Sequence, residues 1–371
     1  MTLSEEAIGR VCIRSATLAA GLLIFLSALA GAGPKPKPLV SEKPNDFSVE
    51  GPFVYENLAV SVVRGRTSDP RAFITLAEGL AAKAVLVREK GAGAGRDDSE
   101  VNELEVENRS DQWLFLQAGD VISGGKQDRT IAVDVTLAPH SPPQPISAFC
   151  VEHGRWAPKG AGLAFSANTA LVSGNALKLS IQKDRNQSRV WEEVAKQERA
   201  AATTIQGGSP GEPMARLSDS GTYNAIVDHK TIKTGQEGYV AALLPHLQKR
   251  EDALGIVVAI NGRIVAADIY ASSSLFRKMS GKLLDSYALE AVLNGRTEGR
   301  TAAAPPRKAV LAFLNGPSAT SSRDEKVGQT MHRKTREAGS VVLYEYRDRV
   351  SQAAPGAKPV HQNYLKRPEA D

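Results

Sequence analysis

The chain has 371 residues and 42% hydrophobic content, enough to bury one large core or two small ones. Its net charge of +5 comes from scattered bases, and aromatic residues make up only 5%. A nucleic-acid groove wants a basic stripe with stacking aromatics, so no nucleic-acid partner is expected.

Arg10 and Arg14 precede an apolar run from Ala16 to Leu29, and Ala28-Leu29-Ala30 has the small-residue pattern of a signal-peptidase site. Residues 1–30 therefore read as a secretory signal, cleaved near Ala30, which makes the mature chain secreted or periplasmic. The apolar run is shorter than the roughly 20 residues of a spanning helix, so no membrane span is expected after cleavage. An uncleaved N-terminal anchor is the alternative. Cys12 lies in this segment and leaves Cys150 alone, which excludes an internal disulfide framework.

Residues 31–50 carry Gly33-Pro34-Lys35-Pro36-Lys37-Pro38, a stiff solvated spacer. Strands are expected at Phe53-Val54-Tyr55 and from Leu58 to Val63. Thr75 with Glu78 has the form of a capping box and opens a helix through Ala82. Val85-Leu86-Val87 is a strand, and Gly91 to Gly95 is a flexible loop, since acidic residues and no apolar helix follow it. Glu103 to Glu107 alternates, and Trp113 to Leu116 is a buried strand. From Thr130 to Leu137 alternation is clean. A proline-rich loop then leads to a partner strand, Ile146 to Glu152.

Beyond Trp156 the pattern turns helical, with Val190, Trp191 and Val194 on one stripe ending near Ala202. A short helix spans Tyr239 to Leu247. Gly255 to Ile260 and Arg263 to Tyr270 are joined by Asn261-Gly262, the favoured two-residue hairpin turn. A long helix runs from Ser272 to Leu293, and strands are expected at Val310 to Leu314 and Val341 to Tyr346. Residues 318–337 read as polar and exposed. The expected architecture is α+β: largely antiparallel sheets built from hairpins, helices on one side, one domain over residues 51–350, and a disordered tail over 351–371.

Potential chemistry concentrates between Gln117 and Trp156. Gly124-Gly125-Lys126-Gln127-Asp128-Arg129 offers glycines that let backbone N–H groups approach a ligand, with two cations for phosphate or carboxylate. It lacks the spacing of a P-loop, and a plain strand-to-strand turn is the competing explanation. Cys150-Val151-Glu152-His153-Gly154-Arg155-Trp156 sets Cys150 and Glu152 on one strand face. His153, the nearest base, falls on the other, so Cys150 reads as a small buried hydrophobe. Glu152 and Arg155 are either site wall or structural ion pair.

His140, His153, His229, His246, His332 and His361 are isolated, and no metal or cofactor is expected. A carboxylate-only site from Asp120, Asp128, Asp134 or Glu152 would be unspecific. The expected ligand-binding residues are Gly124, Gly125, Lys126, Gln127, Arg129, Glu152, Arg155 and Trp156. The expected partner is a small anion, and no catalytic residue is assigned. The rival reading is a non-catalytic envelope interaction module in which these motifs only fix the fold.

These two clusters resemble the ARG and Rhodanese-Phosphatase-superfamily-associated protein domain, where ARG stands for ADP-ribosylglycohydrolase. The resemblance also rests on Asn102-Glu103-Leu104, Ala118-Gly119-Asp120, Val190-Trp191-Glu192-Glu193-Val194, the hairpin Gly255 to Tyr270, and Leu283-Leu284-Asp285-Ser286-Tyr287-Ala288. It covers roughly Tyr55 to Leu293, with a looser echo to Tyr346. It implies a phosphorylated, ADP-ribose-like or nucleotide-like ligand and carries over no catalytic residue set, so whether the chain is an enzyme stays open.

Overall fold

The computed structural model describes residues 47–90, 102–157, 165–166, 172–206, 217, 219–295, 303–315, 319–353 and 358–368. The signal-like segment, residues 31–46 of the expected spacer, and the Gly91 to Gly95 loop lie outside them; Ser48 to Glu50, expected as spacer, instead begin the first strand, Ser48–Tyr55. The fold is α+β, as expected.

An eight-stranded antiparallel sheet carries the largest core. Its spatial order is Ser48–Tyr55, Leu58–Arg64, Ala253–Ile260, Arg263–Tyr270, His361–Lys366, Val341–Asp348, Met331–Ala338 and Ser321–Val327. Ala253–Ile260 is buried throughout because both faces of the sheet are covered. Val60, Val62, Ile256 and Val258 face one apolar cluster; Val63, Val257, Ala267 and Ile269 face another. The long helices Lys230–Gln248 and Ser273–Asn294 pack on each other and on the first face. Asn261 and Gly262 adopt φ of 49° and 75°, the left-handed pair that a tight hairpin demands. Thr75 and Glu78 close the expected capping box at 3.3 and 2.9 Å.

Helices do not all lie on one side. Val310 to Leu314, expected as a strand, belongs to the helix Arg307–Asn315 on the second face. Pro305-Pro306 starts it, with the Pro306 carbonyl accepting from Ala309 and Val310, and Val310 and Leu314, one turn apart, are its buried residues. Residues 318–337, expected to be polar and exposed, contribute to two strands: Ser321–Val327 is largely exposed, while Met331–Ala338 is half-buried to buried. Their charges pair across the sheet, with Asp324 opposite Lys334 and Glu325 opposite Arg333. Residues 351–371, expected as a disordered tail, contain an interior strand, His361–Lys366, between Arg263–Tyr270 and Val341–Asp348.

A six-stranded antiparallel sheet runs Phe165–Ser166, Val121–Gly124, Arg129–Ile131, Gln144–Cys150, Glu103–Asn108, Val85–Glu89. A three-stranded sheet joins Phe73–Thr75, Trp113–Leu116 and Val135–Leu137, and its first pair is parallel. The alternating stretch Thr130 to Leu137 is therefore two strands in two sheets. The chain changes sheets at Ala132 to Asp134, and both of its faces are buried.

Candidate functional site

Strands Val121–Gly124 and Arg129–Ile131 are antiparallel neighbours joined by the glycine-cation motif. Gly124 and Gly125 take φ of 136° and 52°. A Cβ on Gly125 would stand 2.5 Å from a Phe165 ring carbon and 2.6 Å from Glu89 Oε1, so glycine is required by space as well as by conformation. The turn folds over Asp128, which is fully buried. Its Oδ1 accepts from Ser123 Oγ at 2.9 Å and the Gly124 N–H at 3.1 Å. Its Oδ2 accepts from Thr222 Oγ1 at 2.9 Å and Asn224 Nδ2 at 2.7 Å.

The second cluster locks onto the first. Glu152 Oε2 accepts from the Asp128 N–H at 3.0 Å. Arg155 makes a two-point contact with Glu152 at 3.0 and 2.6 Å and reaches the Gly125 carbonyl at 2.9 Å. Arg129, 1% exposed, donates twice to Glu89 at 3.1 and 3.0 Å and touches the Cys150 sulfur. Glu89 also accepts from the Lys126 N–H at 3.1 Å. Gln127 reaches the His153 carbonyl at 3.4 Å. Trp156, 48% exposed, lies 5.1 Å from the Lys126 ammonium and 5.9 Å from the Arg129 guanidinium.

All eight expected residues thus come together in one patch. Their polar groups turn inward. Arg129 is neutralised by Glu89, a residue absent from the sequence expectation, and Arg155 by Glu152 with Asp128 at 3.5 Å. Cys150 is buried, its backbone held at both polar groups by the Gln187 side chain at 2.9 and 2.8 Å. Burial pushes its thiol up to about 11, against the downward pull of Arg129. Such a thiol is not a nucleophile near neutrality. His153 packs edge-on against Trp191.

A second buried network passed unnoticed in the sequence. Asp268 Oδ2 accepts from Tyr287 at 2.6 Å, and Oδ1 from Asn363 at 2.9 Å, Gln117 at 3.2 Å and Lys178 at 3.5 Å. His361 bridges Asp134 at 2.6 Å and Asp268 at 3.2 Å, and stacks on Tyr270 at 4.4 Å. Burial would lower the His361 pKa, but the two carboxylates outweigh it and hold it at about 9. Burial likewise opposes the charge on Asp268, yet Lys178 and His361 keep its carboxyl below the ordinary range. Asp120 is paired with Lys282 at 2.6 Å. The one legible signal was Asp268 itself, a charge inside the apolar run from Val265 to Tyr270.

A cavity of about 1050 Å³ lies elsewhere, between the helices Gln187–Ile205 and Ser273–Asn294 and the Asn261 turn. None of the eight expected residues lines it. Among the described residues no group of three or more His, Cys, Asp or Glu is placed to hold a metal, and no helix is long and apolar enough to cross a membrane.

The profile of one family, the ARG and Rhodanese-Phosphatase-superfamily-associated Protein domain, matches residues 46–357. No curated protein and no solved structure matches.

Proposed function

The chain belongs to the ARG and Rhodanese-Phosphatase-superfamily-associated Protein domain family, and on that premise we propose that it is an exported, non-catalytic binding module whose glycine-cation motif is a structural clasp. One observation carries the reading: the Arg129 guanidinium and the Glu89 carboxylate, 1% and 0% exposed, pair inside the domain at 3.0 Å. Cations kept for a ligand would instead face an open cleft. Export is supported by the basic, apolar and small-residue order of residues 1–30.

A second reading keeps the small anionic, ADP-ribose-like ligand. It draws on the Trp156 ring, half exposed with two cations over it.

Arg129→Ala separates the two. Under the clasp reading it leaves the Glu89 carboxylate buried without a counterion and lowers stability by roughly 3–5 kcal/mol, while replacing both partners, Glu89→Leu with Arg129→Met, recovers much of the loss. Thermal shift with inorganic phosphate and with ADP-ribose then gives the same response before and after substitution. A stability loss below about 1 kcal/mol overturns the clasp. If phosphate or ADP-ribose stabilisation also disappears, the anionic-ligand reading takes its place.

A further inference from the structure

Lys178 is a buried cation that the fold satisfies poorly. It stands on the helix Asn175–Leu179, 1% exposed, with the Tyr287 ring 5.4 Å from its nitrogen. An ammonium carries three N–H donors. Among the described residues Lys178 makes one hydrogen bond, to Asp268 Oδ1 at 3.5 Å, the outer limit of such a contact. That oxygen is already crowded, because Asn363 at 2.9 Å, Gln117 at 3.2 Å and His361 at 3.2 Å also address it. A buried ammonium held so loosely costs stability, and removing its charge would relieve the interior.

The group beside it is an amide arranged for attack. Asn363 sits opposite Asp268 on the neighbouring strand and is 2% exposed. Its Nδ2 donates to Asp268 Oδ1, so the Lys178 amine and the Asn363 amide nitrogen meet on one carboxylate oxygen. Its Oδ1 accepts from Gln182 Nε2 at 3.1 Å, which draws electrons away from the amide carbon. Gln182 lies one turn beyond Lys178, on the same side of the turn Ser180–Asp184 that continues the helix. Its own oxygen is fixed by the Tyr346 hydroxyl at 2.6 Å, and Tyr287 fixes Asp268 Oδ2 at 2.6 Å. Amine, amide, proton carrier and carbonyl donor are therefore all buried and each is held by a neighbour.

We propose that Lys178 and Asn363 join in an intramolecular isopeptide bond, with Asp268 carrying the protons and Gln182 steadying the oxyanion. Asp268 takes one proton from the Lys178 ammonium, and the freed Nζ pair forms a bond to Asn363 Cγ. The carbonyl electrons move onto Oδ1, which Gln182 holds. Asp268 then gives its proton to Nδ2 and takes a second from Nζ. The Cγ–Nδ2 bond breaks, and ammonia leaves with that last proton as ammonium. An ammonium and a primary amide become a secondary amide and an ammonium ion, with no oxidant or reductant. One turnover suffices, and fixed neighbours replace a solution encounter. The bond would tie the last strand, His361–Lys366, to the helix Asn175–Leu179, a tie that no disulfide can make, since Cys12 and Cys150 are the only cysteines. It is independent of the glycine-cation clasp.

The test is intact-mass and tandem mass spectrometry of the purified, folded full chain, read again after prolonged incubation. The chain should be lighter than its sequence by one ammonia. Trypsin should fail to cut after Lys178 and should release a branched peptide that joins Lys178 to Asn363. Lys178→Met removes the nucleophile and should keep the full mass. Asp268→Asn, in folded protein, should slow the loss by roughly a hundredfold or more. An unchanged mass of the folded native chain overturns the proposal whether or not the variants fold. So does an ammonia loss confined to a linear peptide, as in cyclisation at Asn363 itself, or an equal loss in Lys178→Met.

Discussion

The buried His361 couples folding to pH in a window set by its own shift. In the unfolded chain its imidazole titrates near the ordinary 6.5; in the folded chain Asp134 at 2.6 Å and Asp268 at 3.2 Å hold the proton until about 9. A raised folded pKa contributes stability that is complete below 6.5 and is lost as pH climbs to about 9. The folded state binds the extra proton through that interval, so the unfolding free energy must fall with rising pH. Each pKa unit corresponds to about 1.4 kcal/mol, and the shift from 6.5 to about 9 gives a loss of roughly 3 kcal/mol. Asp285, raised to about 6 by burial against the pull of Lys233, works below this window. Cys150 works above it, since its thiol moves from 9.0 to about 11. Urea denaturation at closely spaced pH values reads the slope directly, and His361→Gln should flatten it while lowering stability overall. A flat profile between 6.5 and 9, or a slope that survives in His361→Gln, would refute the bridging imidazolium.

Further predictions concern packing. Gly125→Ala should cost roughly 2–4 kcal/mol in the same denaturation assay, from a left-handed φ of 52° and the encounter with Phe165 and Glu89. Gly281→Ala, inside the long helix with nothing within 4 Å of the new methyl, should instead stabilise by about 0.5–1 kcal/mol. Cys150→Ala should cost only about 1 kcal/mol, and native Cys150 should resist thiol reagents until the protein unfolds; rapid labelling of the native state would revive a reactive thiolate.

Local signals were legible wherever the backbone decides the outcome by itself. The Asn261-Gly262 turn, the Thr75 and Glu78 cap, and the helix of Ser273–Asn294 follow from φ preferences, orphan donors and apolar spacing. What failed was polarity as a proxy for exposure. His361-Gln362-Asn363 reads as tail, yet all three are buried, because Asp134, Glu345 and Asp268 answer their polar atoms. Residues 318–337 read as polar and exposed, yet Arg333 among them is 3% exposed and bonded to Glu325 and the Gln182 carbonyl. Alternation alone did not show that Thr130 to Leu137 is two strands: Thr130, Ala132, Asp134 and Thr136 are buried along with the apolar set.

The glycine-cation motif shows where a reading from sequence stops. A chain pattern locates cations, and only the fold locates their counterions: Glu89 lies 40 residues from Arg129, and Thr222 and Asn224 lie 94 and 96 from Asp128. That distinction decides what an incoming anion would meet. To take Arg129 it must displace a carboxylate 3.0 Å away. Two unit charges at such separations attract by several kcal/mol even at an effective dielectric near 20. The anion would also strand Glu89 in the interior, where an unpaired charge is costlier still. A closed ion pair of this kind converts its contacts into stability, not into affinity for a ligand.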